Sequence, residues 1–161
     1  MIDEKDFERL APHACEWAKA QEATILQHGV PLTADQIADA RRAGVRHPGR
    51  IRVLVVDRIP LPEDKELADA ARRAQIITDA SHGVTFGHGV IIRADNWRNR
   101  ELLVHQFAHV AQCERSGNLE TFVSEYLLDR RSSRDFSLGT LEEEARTMAQ
   151  KICAGDRAAK P

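Results

Sequence analysis

The run Glu101-Leu102-Leu103-Val104-His105-Gln106-Phe107-Ala108-His109-Val110-Ala111-Gln112 decides how this chain is read. Two histidines four residues apart on a helix lie one above the other on one face. At ~100° per residue, Leu103, Phe107 and Val110 form one apolar stripe, and Glu101, His105, His109 and Gln112 fall on the opposite side. Leu102, Val104 and Ala111 flank that polar side. A helix so apolar around one polar stripe belongs at the centre of a fold, with the stripe turned to a cleft.

Two imidazoles one turn apart can both reach a single metal ion, with bonds of about 2.0–2.1 Å for zinc. Imidazole suits divalent first-row ions, and a site with no redox ligand points to zinc. Spaced pairs of this kind also arise by chance, so the rest of the chain has to supply support. A catalytic zinc takes three protein ligands and keeps one position open. The third would come from Leu141-Glu142-Glu143-Glu144-Ala145, where Leu141, Ala145, Met148, Ala149 and Ile152 set the apolar stripe. Glu142 lies about 60° from the middle of that stripe, Glu144 about 100° and Glu143 about 160°. An acidic first turn favoured by the helix dipole accounts for Glu143 and Glu144 better than for Glu142.

Outward from these runs, the spacing predicts a helix over the first stretch, with Phe7, Leu10, Ala11, Ala14, Trp17 and Ala18 on one stripe and His28-Gly29 at its end. Thr33 with Gln36 makes a capping box for a second helix, and Gly44 is its stop. Ile51 to Asp57 is β-branched and short, a strand. Glu63 to Ala74 reads as helix. Strand-like segments follow around Ile76-Ile77 and from Val84 to Arg93. The central helix is expected to end at Gly117, and Asn118 to cap the next, Leu119 to Asp129. Arg130 to Gly139 reads as a polar loop, Thr140 with Glu143 as another capping box, and Ala154 to Pro161 as a frayed tail.

Composition narrows the classes. The chain has 161 residues, 42% hydrophobic and 30% charged, with a formal net charge of -2. That suits one globular domain with a core of its own. It gives no electrostatic footprint for nucleic acid or an anionic membrane. No apolar run approaches the ~20 residues of a membrane span. The start, Met1 to Arg9, lacks the pattern of a secretory signal, and three scattered cysteines form no disulfide framework. The expectation from these features is cytoplasmic residence.

The central run resembles the HExxHxxQ helix of small bacterial zinc metallopeptidase-like domains, which belong with the gluzincins. Cys113-Glu114-Arg115 continues the resemblance, Glu142 to Ala145 is similar to the ExxA of the family's later helix, and Gly87-His88-Gly89-Val90-Ile91-Ile92-Arg93 to its preceding strand. The likeness spans about Gly83 to Ala149. It implies an α+β, zincin-like fold, with a small sheet packed on a central metal-binding helix and a helical C-terminal half. It implies one zinc ion on His105, His109 and Glu142. The chain would be a single domain: residues 1–75 with the N-terminal helices and first strand, 76–153 with the sheet strand and both ligand helices, and 154–161 as tail.

Gln106 departs from the family, which has Glu there. In HExxH enzymes that carboxylate is the general base, taking a proton from the attacking water and delivering it to the leaving amine. An amide does neither at neutral pH, and general acid–base catalysis is worth typically 10² to 10⁴-fold. Hydrolysis should therefore be impaired while the ligands stay intact. A natural protein that keeps the metal site without the base and an introduced Glu-to-Gln change fit equally. Glu101, one turn before His105, is a further candidate base, with a poor reach.

The expected activity is thus that of a metallopeptidase-like protein with an impaired cleavage step. The alternative is a non-catalytic module that holds a peptide or protein in the same cleft, with or without zinc. The edge strand near Val84 to Arg93 could take an extended peptide by strand addition. Gln112 is expected to orient a ligand or simply to cap its face. His82 and His88 are read as structural or as cleft-lining. Tyr126 shares a stripe with Leu119, Phe122, Val123 and Leu127 and reads as core, with oxyanion stabilisation as the functional alternative. Cys113 reads as a buried thiol, and Arg130, Arg131 and Arg134 as solvated surface.

Overall fold

The computed structural model describes residues 3–133 and 138–159. The described residues form an α+β fold of six α-helices and one four-stranded mixed sheet. Helix α1 (Glu4–His28) is capped by Asp3, which accepts from Asp6 N, and ends at Gly29. Strand β1 (Val30–Pro31) follows and pairs antiparallel with β2 (Arg52–Val56). Two residues carry no periodicity, so β1 gives no signal in the sequence. Between them, α2 (Ala34–Arg42) opens with the capping box expected from Thr33 and Gln36.

After α3 (Lys65–Arg73) the chain does not form a strand at Ile76-Ile77. Gln75 takes a positive φ of 55° there, and both isoleucines enter an apolar cluster from a turn. The single strand expected from Val84 to Arg93 is a hairpin: β3 (Gly83–Phe86), a turn at Gly87 with φ 63°, and β4 (Gly89–Arg93). The sheet order is β1-β2-β4-β3, with β2 and β4 parallel and β3 antiparallel to β4. Only the β3 half of the expected edge strand lies at an edge. Gly89 to Ile92 are buried inside the sheet.

Three helices complete the fold. Helix α4 (Arg100–Ser116) is capped by Asn99 and stopped by Gly117 at φ 95°. Helix α5 (Leu119–Ser132) runs three residues past its expected end at Asp129, so the polar loop is shorter than expected; Arg134 lies outside the described residues. Helix α6 (Thr140–Ala159) has Thr140 inside it rather than as its cap. Its first turn is held from α5, where Asp129 accepts from Thr140 N, Thr140 Oγ1 and Leu141 N. The helix continues through most of the expected frayed tail. Near that end Asp156 meets Arg100, 2.5 Å away, and Arg42, 3.3 Å away. Arg100 also grips Asp39 of α2 with two bonds of 2.8 Å, so α2, α4 and α6 share one ionic knot.

Helix α4 lies at the centre. Its Val104, Phe107, Val110 and Ala111 join a cluster with Ile51, Val90, Ile92, Ala149 and Cys153. A second cluster joins Ala18 and Ile25 of α1, Phe86 and Ile91 of the hairpin and Phe122 of α5. Full burial of a side chain such as Phe107, at 0% exposure, contributes about 2–3 kcal/mol. The sheet and α6 thereby fix α4 on two sides, and its polar stripe is turned to what remains.

Candidate metal centre

The polar stripe of α4 presents His105 and His109 one turn apart, their ring centroids 4.8 Å apart at an interplanar angle of 78°. Their Nε2 atoms are 3.2 Å apart. The first turn of α6 faces them. Glu142 Oε2 lies 3.0 Å from His105 Nε2, and Glu142 Oε1 lies 3.2 Å from His109 Nε2. Ligand atoms of all three residues fall within 4.8 Å of one another.

The position of Glu142 follows from bonds on either side of it. Asp129 fixes Thr140 and Leu141 from α5. Gln112 Nε2 donates to the Leu141 carbonyl at 2.9 Å. That bond orients the Gln112 amide, so its Oε1 is the atom 2.8 Å from His109 Nδ1. An amide oxygen only accepts, so Nδ1 carries the proton and, in the neutral ring, Nε2 carries the lone pair. The lone pair points at His105 and Glu142.

Tyr126 of α5 completes the shell. Its hydroxyl donates to Glu142 Oε1 at 2.5 Å. Its ring lies 6.0 Å from both Phe122 and His109. Burial pushes the phenol well above its usual value of 10, and the Glu142 charge adds to this, so the hydroxyl stays a donor. Burial alone would raise the Glu142 carboxyl, but the bonds from His105, His109 and Tyr126 outweigh it and hold the group well below the usual carboxylate range.

Two imidazole nitrogens and a carboxylate oxygen thus converge on one point. A proton on either ring can bridge it to Glu142; with both Nε2 atoms bare, such atoms repel unless a cation lies between them. The set suits a divalent first-row ion, and Gln112 and Tyr126 supply the outer bonds that metal-ligating His and Glu commonly receive.

The convergence lies on the wall of a cleft of about 680 Å³. Leu10 and Trp17 of α1, Leu67 of α3, Val84 and Phe86 of β3 and Phe122 of α5 line its apolar part. Gln106 is 4% exposed and turned toward β3. Thr85 Oγ1 bonds to its Oε1 at 2.9 Å and to its backbone carbonyl at 3.2 Å. Glu101 lines the same cleft and is engaged within the protein. His82 lines it as well.

His88 does not line the cleft, which corrects the cleft-lining alternative read for it and leaves the structural one. It occupies the tip of the β3–β4 hairpin, its Nε2 3.4 Å from Glu114 Oε2, beside a separate pocket. The hairpin turn at Gly87 is what carries it away. Cys113 is buried, as expected, and its thiol is pushed up to about 12, chiefly by desolvation.

Three contributors escape a reading by stripe. Tyr126 does pack in the core, but its hydroxyl reaches Glu142; a lone tyrosine in an otherwise apolar stripe is the signal. Arg130 is not solvated surface: it donates to the carbonyls of Leu138, at 2.7 Å, and Ala74, tying α5 to the turn after α3. Arg146, one turn after Glu142, lines the cleft with an exposed side chain. No protein-family model, curated protein or solved structure matches the chain.

Proposed function

We propose that the protein is a zincin-like zinc protein that holds an extended peptide in its cleft and cleaves peptide bonds poorly because Gln106 occupies the place of the general base. The observation that carries this reading is the convergence of His105, His109 and Glu142 on one point. A zinc ion held there would act as a Lewis acid toward a carbonyl or a water molecule.

The residues of the chain divide the remaining work. Gln112 holds the His109 ring in the ligating tautomer, and Tyr126 holds the Glu142 carboxylate. Strand β3 offers the peptide track. Arg93 N donates to the His82 carbonyl at 2.8 Å, which fixes the antiparallel alternation. Val84 and Phe86 therefore bond to β4, while the N–H and C=O of Gly83 and Thr85 point away from it, along the cleft. An extended peptide can add to such an edge.

The non-catalytic reading of the same cleft is favoured by the state of Gln106. Its side chain is neutral, buried and already bonded to Thr85.

Metal analysis of protein purified without added zinc tests the core of the proposal. We expect one equivalent; less than about a tenth would sink it. Zinc should also raise the melting temperature, and His105→Ala should remove that gain. Gln106→Glu with a peptide library then separates the two readings. Cleavage that appears only in this variant supports the peptidase scaffold, and no cleavage of any peptide leaves the binding module.

A further inference from the structure

We infer that the cleft is built to hold the free carboxylate end of a peptide whose last residue is apolar. The inference rests on the zinc reading above and names the ligand of that site. An ion ligated by one carboxylate and two neutral imidazoles keeps a net positive charge. Glu142, Arg146 and Ala149 line the cleft at i, i+4 and i+7 of α6, on one face. Arg146 is exposed there and, among the described residues, meets neither a carboxylate nor a hydrogen-bond partner. A second positive charge therefore stands on the same cleft wall, one helical turn along α6 from Glu142. The other acid lining the cleft, Glu101, is already engaged.

Gln106 matters for the same reason. A carboxylate at that position would set a negative charge in the wall of the cleft that an incoming carboxylate must enter. The neutral amide removes that charge. The chemistry at position 106 thus shifts the site from one that expels an anionic cleavage product toward one that retains it. Beyond the charged end, Leu10, Trp17, Leu67, Val84, Phe86 and Phe122 give the ligand an apolar seat. The outward edge of β3 favours a peptide over a simple fatty acid, because only a peptide has backbone groups for Gly83 and Thr85.

Isothermal titration of the zinc-loaded full chain tests this with acetyl-Ala-Ala-Phe, its C-terminal amide and octanoate. The free acid should bind at least about tenfold tighter than the amide, as expected for a charge-assisted contact, and tighter than octanoate. Arg146→Gln and Gln106→Glu should each weaken the acid by about tenfold and leave the zinc stoichiometry at one. Equal binding of acid and amide, binding of neither, or octanoate matching the acid would overturn the inference while the zinc reading stands. Protein that holds no zinc would instead remove the reading beneath it.

Discussion

Gln112 Oε1 accepts the Nδ1 proton of His109 at 2.8 Å. The same amide donates to Leu141 at 2.9 Å, the residue before Glu142. One neutral side chain on α4 therefore orients an imidazole on its own helix and locates the backbone that carries the carboxylate on α6. The geometry of the centre is set less by the three converging groups than by the polar atoms behind them.

Gln112→Leu tests this directly. The substitution keeps the volume of a side chain that is 2% exposed. It leaves His109 Nδ1 without its partner and removes the bond that ties the Leu141 carbonyl to α4. Zinc affinity should fall roughly 10–100-fold, read by competition with a chromophoric chelator. Stability of the metal-free protein should fall by about 1–3 kcal/mol, read by urea unfolding. Unchanged affinity would show that the tautomer is fixed by something else.

Tyr126→Phe separates the two roles of this residue. The ring stays in its cluster, so near-ultraviolet dichroism and the melting temperature of the metal-free protein should change little. The bond to Glu142 Oε1 is lost. Zinc should then bind roughly tenfold more weakly. A large loss of folding with no loss of affinity would assign Tyr126 to the core alone.

The sequence carried the central helix well because two independent signals agreed there, an apolar stripe and a polar stripe of chemistry-bearing residues. Glu142 was legible from its angle on α6. What stayed hidden is what long-range packing decides. β1 is two residues whose strand character comes from lying beside β2. The split of β3 from β4 depends on one positive φ at Gly87. Asp129 caps a helix eleven residues away by hydrogen bonding at Thr140, so the local Thr140–Glu143 box was the wrong pairing. His88 and Arg146 show the same limit: each sits near a motif in sequence, and only the turn or the helix face decides which one lines the cleft.

Arg100 gives a pH-dependent test of the ionic knot. Asp39 is nearly buried, and Arg100 bonds both of its oxygens. Arg100→Ala should cost roughly 2 kcal/mol near neutral pH, the scale of hydrogen bonds to a charged group. Asp156 supplies the titration. Its bond to Arg100 holds the carboxyl below its ordinary value, against a smaller opposing effect of desolvation. A carboxyl lowered in the folded state stabilises above its unfolded pKa, and that contribution fades as pH falls through the folded value. The stability gap between wild type and Asp156→Asn should therefore be full above about pH 4 and close in stronger acid. A gap that is constant with pH would contradict the assignment.

Gly83 tests how tightly β3 is set on α4. A Cβ at this position would lie 3.0 Å from Ile92 Cδ1, 3.2 Å from Gln106 Nε2 and 3.3 Å from the Ile91 carbonyl. The isoleucine tip can move, but the carbonyl belongs to the β4 ladder and Gln106 is held by Thr85. Gly83→Ala should cost about 1–3 kcal/mol, the range for overpacking a filled interior. Gly49→Ala is the control, because a Cβ there meets nothing within 4 Å, and it should stay within about 0.5 kcal/mol of wild type. The zinc stoichiometry of Gly83→Ala should remain one, since His105, His109 and Glu142 are held from α4, α5 and α6 rather than from β3. Loss of zinc together with stability would mean that the edge strand supports the centre as well as the peptide track.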